Sequence, residues 1–361
     1  MDLIAQVNID FDFDPKSPRL KLIAGDASDR KFYRYQTAEL SCICMQFPSW
    51  QGGYGGDPLS WLGMHEAFKV WKIPLPEVLW VDEKNACIWT SDLGDSFLNR
   101  DFGAHPVDMA KPECAQAMNQ YKQALRLLLM AQYPEQNSEI KHPASSRFFD
   151  ADKLMYELNF FAQHFLTSLL GFKEIGSGLL NEWQDLAQQI AQRERVVCHR
   201  DYHARNLMIQ DNKVYWIDFQ DARMGPHAYD VVSLLRDSYV RFEPKTREAL
   251  FDFYYDELCA LRGRARSGSL SAAEFYKERL MVGLQRNIKA LGSFAYLCTV
   301  KKKKVYLSYV THTLETILKD SAASEISLQF PKTFELLERM LHGDLRKHFL
   351  KIVERENIDQ F

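Results

Sequence analysis

Two hydrophobic periods alternate along this 361-residue chain, and their order restricts its fold more than any other feature. The first ninety residues read at period two. Short runs rich in β-branched, aromatic or Cys residues occupy 20–24, 32–36, 40–47, 77–81 and 86–90, separated by turn material such as 25–29 and 82–85. One helical stretch interrupts them over 58–71, with Trp61, Leu62, His65, Phe68 and Lys69 near 3.6-residue spacing. From about Gly94 the period becomes helical. Leu154, Leu158, Phe161, Phe165 and Leu169 recur at steps of four, three, four and four, giving one apolar stripe. Similar stripes run through 115–133, 181–193, 245–262, 272–298, 305–319 and 332–353. Inside that half, 196–198, 207–209 and 214–217 return to strand character, the last two flanking the turn 210–213. The expectation is an α+β, bilobal chain: a small β-rich lobe over 1–92 and a larger, mostly helical lobe over 93–361.

Composition narrows the class. Hydrophobic residues make up 46% and charged residues 26%, enough apolar surface for a large core and against disorder of the whole. Lys plus Arg is 45 against 48 acidic residues, so a general nucleic-acid binder is not expected. No window approaches the roughly 20 apolar residues that span a bilayer. The first residues are acidic, without the basic-then-apolar order of a signal peptide. Seven scattered cysteines lack zinc-ligand spacing and read as reduced thiols of a cytoplasmic protein; Cys42 and Cys44 share a strand face.

A hairpin embedded in a helical lobe needs a reason, and the segment that it carries supplies one. His199-Arg200-Asp201-Tyr202-His203-Ala204-Arg205-Asn206 reads H-R-D-x-x-x-x-N, and Asp218 follows an apolar strand twelve residues after Asn206. Phosphoryl transfer needs one carboxylate beside the acceptor hydroxyl, and an amide and a second carboxylate to hold Mg²⁺ on the nucleotide phosphates. Asp201 is then the candidate base, with Asn206 and Asp218 as candidate metal ligands. The hairpin returns the chain so that the two ligands face one ion. The bland reading, polar residues that merely shape a loop, accounts less well for the complete set.

On these residues the chain resembles the aminoglycoside phosphotransferase-like kinases, relatives of the protein kinases that act on small molecules. His203, two residues after Asp201, fits that group's H-x-D-x-H-x-x-N loop. Within the group it is similar to the bacterial anomeric kinases of N-acetylmuramate and N-acetylglucosamine. Four stretches carry that likeness: 25–28 with 30–34, Asp92-Leu93-Gly94-Asp95, 217–226, and 229–237; weaker similarity runs through 285–297.

The resemblance implies a protein-kinase-like bilobal fold with ATP and Mg²⁺ as cofactors. Adenine would lie against the connection 91–94, placing Asp92 and Leu93 at the nucleotide. Gly25–Lys31 would cover the phosphates, with Ser28, Arg30 and Lys31 as donors. The implied reaction phosphorylates the anomeric hydroxyl of N-acetylmuramate or N-acetylglucosamine in cell-wall sugar recycling, with a small-molecule partner and neither nucleic acid nor membrane. Two alternatives stand beside it: a kinase of an aminoglycoside, choline-like or amino-alcohol acceptor, and a nucleotide-binding pseudokinase.

One departure favours the last. Protein kinases carry a Lys on the third strand, whereas 40–47 here hold no Lys or Arg, and Glu66 on the next helix has no obvious partner. Arg30 or Lys31 is expected to neutralise the phosphates instead. The glycines of 52–56 lack a following Gly-Lys-Ser/Thr and read as a loop, with a lid as the alternative. Four further expectations are structural or open. Asp230 caps a helix. Asp221 binds a second metal or supports the loop. His203 and Arg205 touch the acceptor or shape the loop. Glu157 reaches substrate or, more commonly for such a residue, forms an exposed salt bridge.

Overall fold

The computed structural model describes residues 13, 16–23, 30–51, 57–98, 114–135, 140–265, 270–321 and 324–356. Strands β1 (Leu20–Ile23), β2 (Lys31–Gln36), β3 (Ser41–Gln46), β4 (Val78–Asp82) and β5 (Cys87–Ser91) form one antiparallel sheet in the order β1-β2-β3-β5-β4. Register places Cys44 between Tyr33 and Trp89, so side-chain alternation gathers Leu20, Tyr33, Cys42, Cys44, Cys87 and Trp89 on one face, where they bury together. All seven cysteines are free thiols. Met45, Phe47 and Ile88 face the other way and join the main core beneath helix α1 (Pro58–Val70).

Helix α1 starts where Asp57 accepts a hydrogen bond from Leu59 N at 3.0 Å and Pro58 occupies the first turn. Its inward residues reach the second half of the chain. Trp61 stacks on Phe219 with ring centroids 5.2 Å apart, and Phe68 meets Trp216 edge-on at 5.2 Å. These contacts tie the sheet to the segment that carries Asp218.

The remainder is largely helical: α2 (Ala115–Gln132), α3 (Ala151–Phe161), α4 (Ser177–Ala191), α5 (Ala228–Leu235), α6 (Pro244–Ala265), α7 (Ala272–Thr299), α8 (Val310–Ser321), α9 (Glu325–Gln329), α10 (Pro331–Leu341) and α11 (Asp344–Arg355). Two small two-stranded sheets interrupt it. Strand β6 (Arg195–Cys198) pairs with β9 (Arg223–Pro226), and β7 (Leu207–Gln210) pairs with β8 (Lys213–Trp216). Among the described residues no helix is long and apolar enough to cross a membrane.

Several expectations are corrected. The stripe 154–169 belongs to two geometries, because α3 runs into a π-helical stretch, Ala162–Leu169. The stripe 332–353 is two helices, broken at Gly343, where a Cβ would lie 2.9 Å from the Arg339 backbone. The hairpin turn is the pair Asp211-Asn212, with φ of 50° and 61°, tighter than the four residues expected. Strand β9 was not expected at all. Its sequence Arg-Met-Gly-Pro is not strand-like, yet Gly225 lies so close to Phe149 that a Cβ would sit 2.5 Å from that ring.

Candidate active site

The polar loop between β6 and β7 is held from both sides. The Asp230 carboxylate accepts hydrogen bonds from the backbone N–H groups of His199, at 2.6 Å, and Arg200, at 3.0 Å. The Asp237 carboxylate accepts from Ala204 N at 2.9 Å and from Tyr239 N at 3.0 Å. These bonds hold Arg200 at a φ of 83°, in the left-handed region that non-glycine residues avoid. Asp230 is therefore no helix cap: it is the third residue of α5, whose N-cap is His227. Its carboxylate serves the loop. Burial pushes its pKa up to about 7 despite the two amide donors.

His199 is buried against Tyr202 and Trp216, and its Nε2 lies 3.0 Å from the Ile217 carbonyl. Burial lowers its pKa to about 4, so near neutral pH the ring is uncharged and Nε2–H donates to that carbonyl. This bond fixes the loop to the strand end just before Asp218.

Asn206 links the backbone of Asp201 to the side chain of Asp218. Its Nδ2 donates to the Asp201 carbonyl at 2.9 Å and lies 3.4 Å from Asp218 Oδ2 and from His203 Nε2. Asp218, at a φ of 63°, turns its carboxylate back toward Asn206. Its Oδ1 is held closely by the Arg30 guanidinium and accepts from Gln220 Nε2 at 3.2 Å. Although burial acts to raise its pKa, Arg30 keeps the carboxyl below its ordinary value. Among the described residues no group of three or more His, Cys, Asp and Glu side chains stands ready as a cage. An amide and a carboxylate suit a hard cation that takes its other ligands from phosphate and water.

Asp201 sits in a cationic field. Lys289 Nζ is 3.5 Å from its Oδ1, and Arg200 Nη1 is 3.5 Å from its Oδ2. Burial alone would raise its pKa, but Lys289, Arg200, His203 and Arg286 hold the carboxyl well below the usual carboxylate range. Glu157 is part of the same network. It is 3% exposed rather than solvated, 3.5 Å from Lys153, and accepts from Gln285 Nε2 at 3.1 Å. Asp221 pairs with Arg200 at 3.0 Å, which supports the loop.

The other predicted residues separate. Arg30 is 6% exposed, with Nη1 2.9 Å from Gln220 Oε1 and 3.7 Å from Met45 Sδ on the third strand. Lys31, one position on, is exposed. Ser28 lies outside the described residues, as do the rest of 24–29 and the glycines of 52–56. The Asp92 carboxylate is committed to Arg34 Nε at 2.8 Å, Ser41 Oγ at 2.6 Å and Gly94 N at 2.9 Å, while Leu93 is buried beside it. Arg205 points away from Asp201: its guanidinium lies 3.8 Å from the Tyr239 ring centroid and donates to Tyr309 Oη at 2.8 Å. His203 packs edge-on to the same Tyr239 ring at 5.5 Å, and burial lowers its pKa.

Sequence reasoning missed Lys289, Arg286 and the loop-holding roles of Asp230 and Asp237. All four fall in stretches 229–237 and 285–297, but helical periodicity cannot show that they converge on a loop thirty to ninety residues earlier.

Comparison with known proteins bears on the family and the fold. Residues 19–266 match the description of the phosphotransferase enzyme family. The chain is similar to the N-acetylmuramate/N-acetylglucosamine kinases of Pseudomonas aeruginosa, 29% identical over 80% of this chain and 79% of that one, and of Neisseria meningitidis, 27% identical over 79% of each. Among solved structures it superposes on a choline/ethanolamine kinase family protein from Mesorhizobium loti with a TM-score of 0.54 at 12% identity, covering 88% of this chain and 92% of that one. At that identity the likeness speaks for the fold.

Proposed function

The chain belongs to the phosphotransferase enzyme family and transfers a phosphoryl group to a hydroxyl acceptor; on that premise we propose an ATP- and Mg²⁺-dependent kinase of the anomeric hydroxyl of N-acetylmuramate or N-acetylglucosamine. The observation that carries the choice of acceptor is the charge around Asp201. Lys289 and Arg200 lie 3.5 Å from it and Arg286 acts on it electrostatically. A cationic acceptor such as choline would meet repulsion there, whereas the carboxylate of a muramate would be attracted. The names of the two bacterial relatives support the same reading.

In the proposed reaction the anomeric oxygen attacks the γ-phosphorus, the bond to the β-phosphate bridging oxygen breaks, and ADP leaves. Asp201 aligns the hydroxyl and takes its proton as the new P–O bond forms. An anomeric hydroxyl is more acidic than an ordinary alcohol, which suits so weak a base. Asn206 and Asp218 would hold Mg²⁺, which when bound neutralises phosphate charge. Arg30, already in contact with Asp218, has the position to bind phosphate in place of the absent third-strand Lys. Ser28 and Lys31 would add donors to the phosphates, and the backbone at Asp92 and Leu93 would meet the adenine. Residues 1–92 then act as the nucleotide lobe and 93–361 as the acceptor lobe, the latter with His203 supporting Asn206. The test incubates the protein with ATP, Mg²⁺ and a panel of amino sugars and amino alcohols and reads the product by phosphorus NMR. An acid-labile glycosyl phosphate is expected; phosphorylation of choline or an aminoglycoside in preference would replace this acceptor.

A further inference from the structure

A charged cavity of about 330 Å³ opens between α6, α7 and α8 and is lined by none of the residues of the catalytic loop. Its size falls in the range of small-molecule sites. Four cations, Arg236, Arg247, Arg279 and Lys319, face two carboxylates, Glu248 and Asp320. Arg236 and Arg247 share Asp320, and Arg279 takes Glu248 at 2.5 Å. Lys319 leans outward to Glu315 at 3.7 Å.

The sharing leaves positive charge uncompensated where it is costly. The Arg236 side chain is 2% exposed: its Nη2 donates to the Thr316 carbonyl at 3.3 Å, and its Nη1 packs where a Cβ on Gly283 would lie 1.7 Å away, so two guanidinium groups depend on the one Asp320 carboxylate. Burial has already pulled the Arg236 pKa down to about 10. A buried guanidinium that shares its carboxylate with a second one is stabilised electrostatically by an added anion nearby. The aromatic residues of the wall argue against a nucleoside base: Phe251 and Tyr276 already hold Arg279, whose guanidinium lies 4.4 and 4.6 Å from their ring centroids. That contact also fixes Arg279 in place.

We propose that this cavity binds a phosphate dianion, free or as a monoester, and that its occupancy is felt at the catalytic loop. The connection is short. Arg236 directly precedes Asp237, whose carboxylate holds Ala204 N, and the Arg236 carbonyl accepts from Asn287 Nδ2 at 3.2 Å. Immobilising Arg236 therefore restrains the residue that fixes the loop, and coupling of this kind is reciprocal.

The test measures Tm of the full chain in phosphate-free buffer with added inorganic phosphate, and separately with glucose 1-phosphate, to distinguish free phosphate from a monoester. Two variants are compared: Arg279→Gln with Lys319→Gln, and Arg30→Gln as a change at the other site. Saturation of the wild type by either probe raises Tm by about 2 °C, is lost in the Arg279→Gln/Lys319→Gln protein and survives in Arg30→Gln. Hydrogen exchange at the His199, Arg200 and Ala204 amides slows severalfold with the same probe. No shift with either probe, or a shift abolished by Arg30→Gln and kept by the double variant, overturns the site. Binding without slowed exchange overturns the coupling.

Discussion

At the scale of single residues, the site depends on which charges face each other before any substrate arrives. Lys289 and Arg200 keep Asp201 ionised, and in the proposed reaction it takes the acceptor's proton. Asp201→Asn keeps its shape and removes that capacity, and kcat is expected to fall about 10²–10⁴-fold with little change in ATP affinity. In the proposed reaction Arg30, which contacts Asp218 and Gln220, takes the place of the missing third-strand Lys. Arg30→Ala should therefore raise the KM for ATP and lower kcat/KM about 10²-fold. Unchanged ATP kinetics would show that some other group neutralises the phosphates. Replacing exposed Lys31 in the same assay is expected to cost less.

At the scale of elements, the loop is held by α5 and the residues just after it more than by its own turn. Asp237→Ala leaves the Ala204 and Tyr239 amides without their acceptor. It should cost roughly 2 kcal/mol in chemical unfolding and lower kcat more than it raises KM. This is also where sequence reading stops. The H-R-D and Asn206-to-Asp218 spacings are local, so one hairpin brings them together and the chain order shows it. The Arg30–Asp218 and Lys289–Asp201 contacts join residues 188 and 88 positions apart, and nothing in a periodic pattern records such pairings. Asp230 illustrates the limit. Near a helix start its residue type suggests a cap, and only the tertiary position of β6 gives its carboxylate two other amides to bind. Strand β9 escaped for a similar reason, since Phe149 and Cys198 define it rather than its own residues.

At the scale of the whole molecule, buried ionisable groups set how stability responds to pH. Burial pushes the Glu278 pKa up to about 7, and its carboxylate accepts from Ala228 N at 2.9 Å. Its folded value is above its unfolded one, so the stability linked to its proton is present in acid and lost as pH rises through 7. His199, His227 and His312, each lowered by burial to about 4, act in the opposite sense: their contribution is lost as pH falls from about 6.5 toward 4. Glu278→Gln keeps an acceptor for Ala228 and removes one of the opposing groups. Relative to wild type it should gain roughly 2–3 kcal/mol more at pH 8 than at pH 5, as read from urea midpoints. The two-part architecture was legible because period two and period 3.6 segregate along the chain, and Trp61 and Phe68 on Phe219 and Trp216 supply the join that the pattern alone did not. The central claim is that Asp201, Asn206 and Asp218 form one phosphoryl-transfer centre serving the anomeric hydroxyl of an N-acetylated amino sugar. Its most direct test is single-turnover transfer from labelled ATP to N-acetylmuramate by the wild type and by Asp201→Asn. The account predicts a glycosyl phosphate from the first and a rate at least 100-fold lower from the second; equal rates, or no transfer by the wild type, would contradict it.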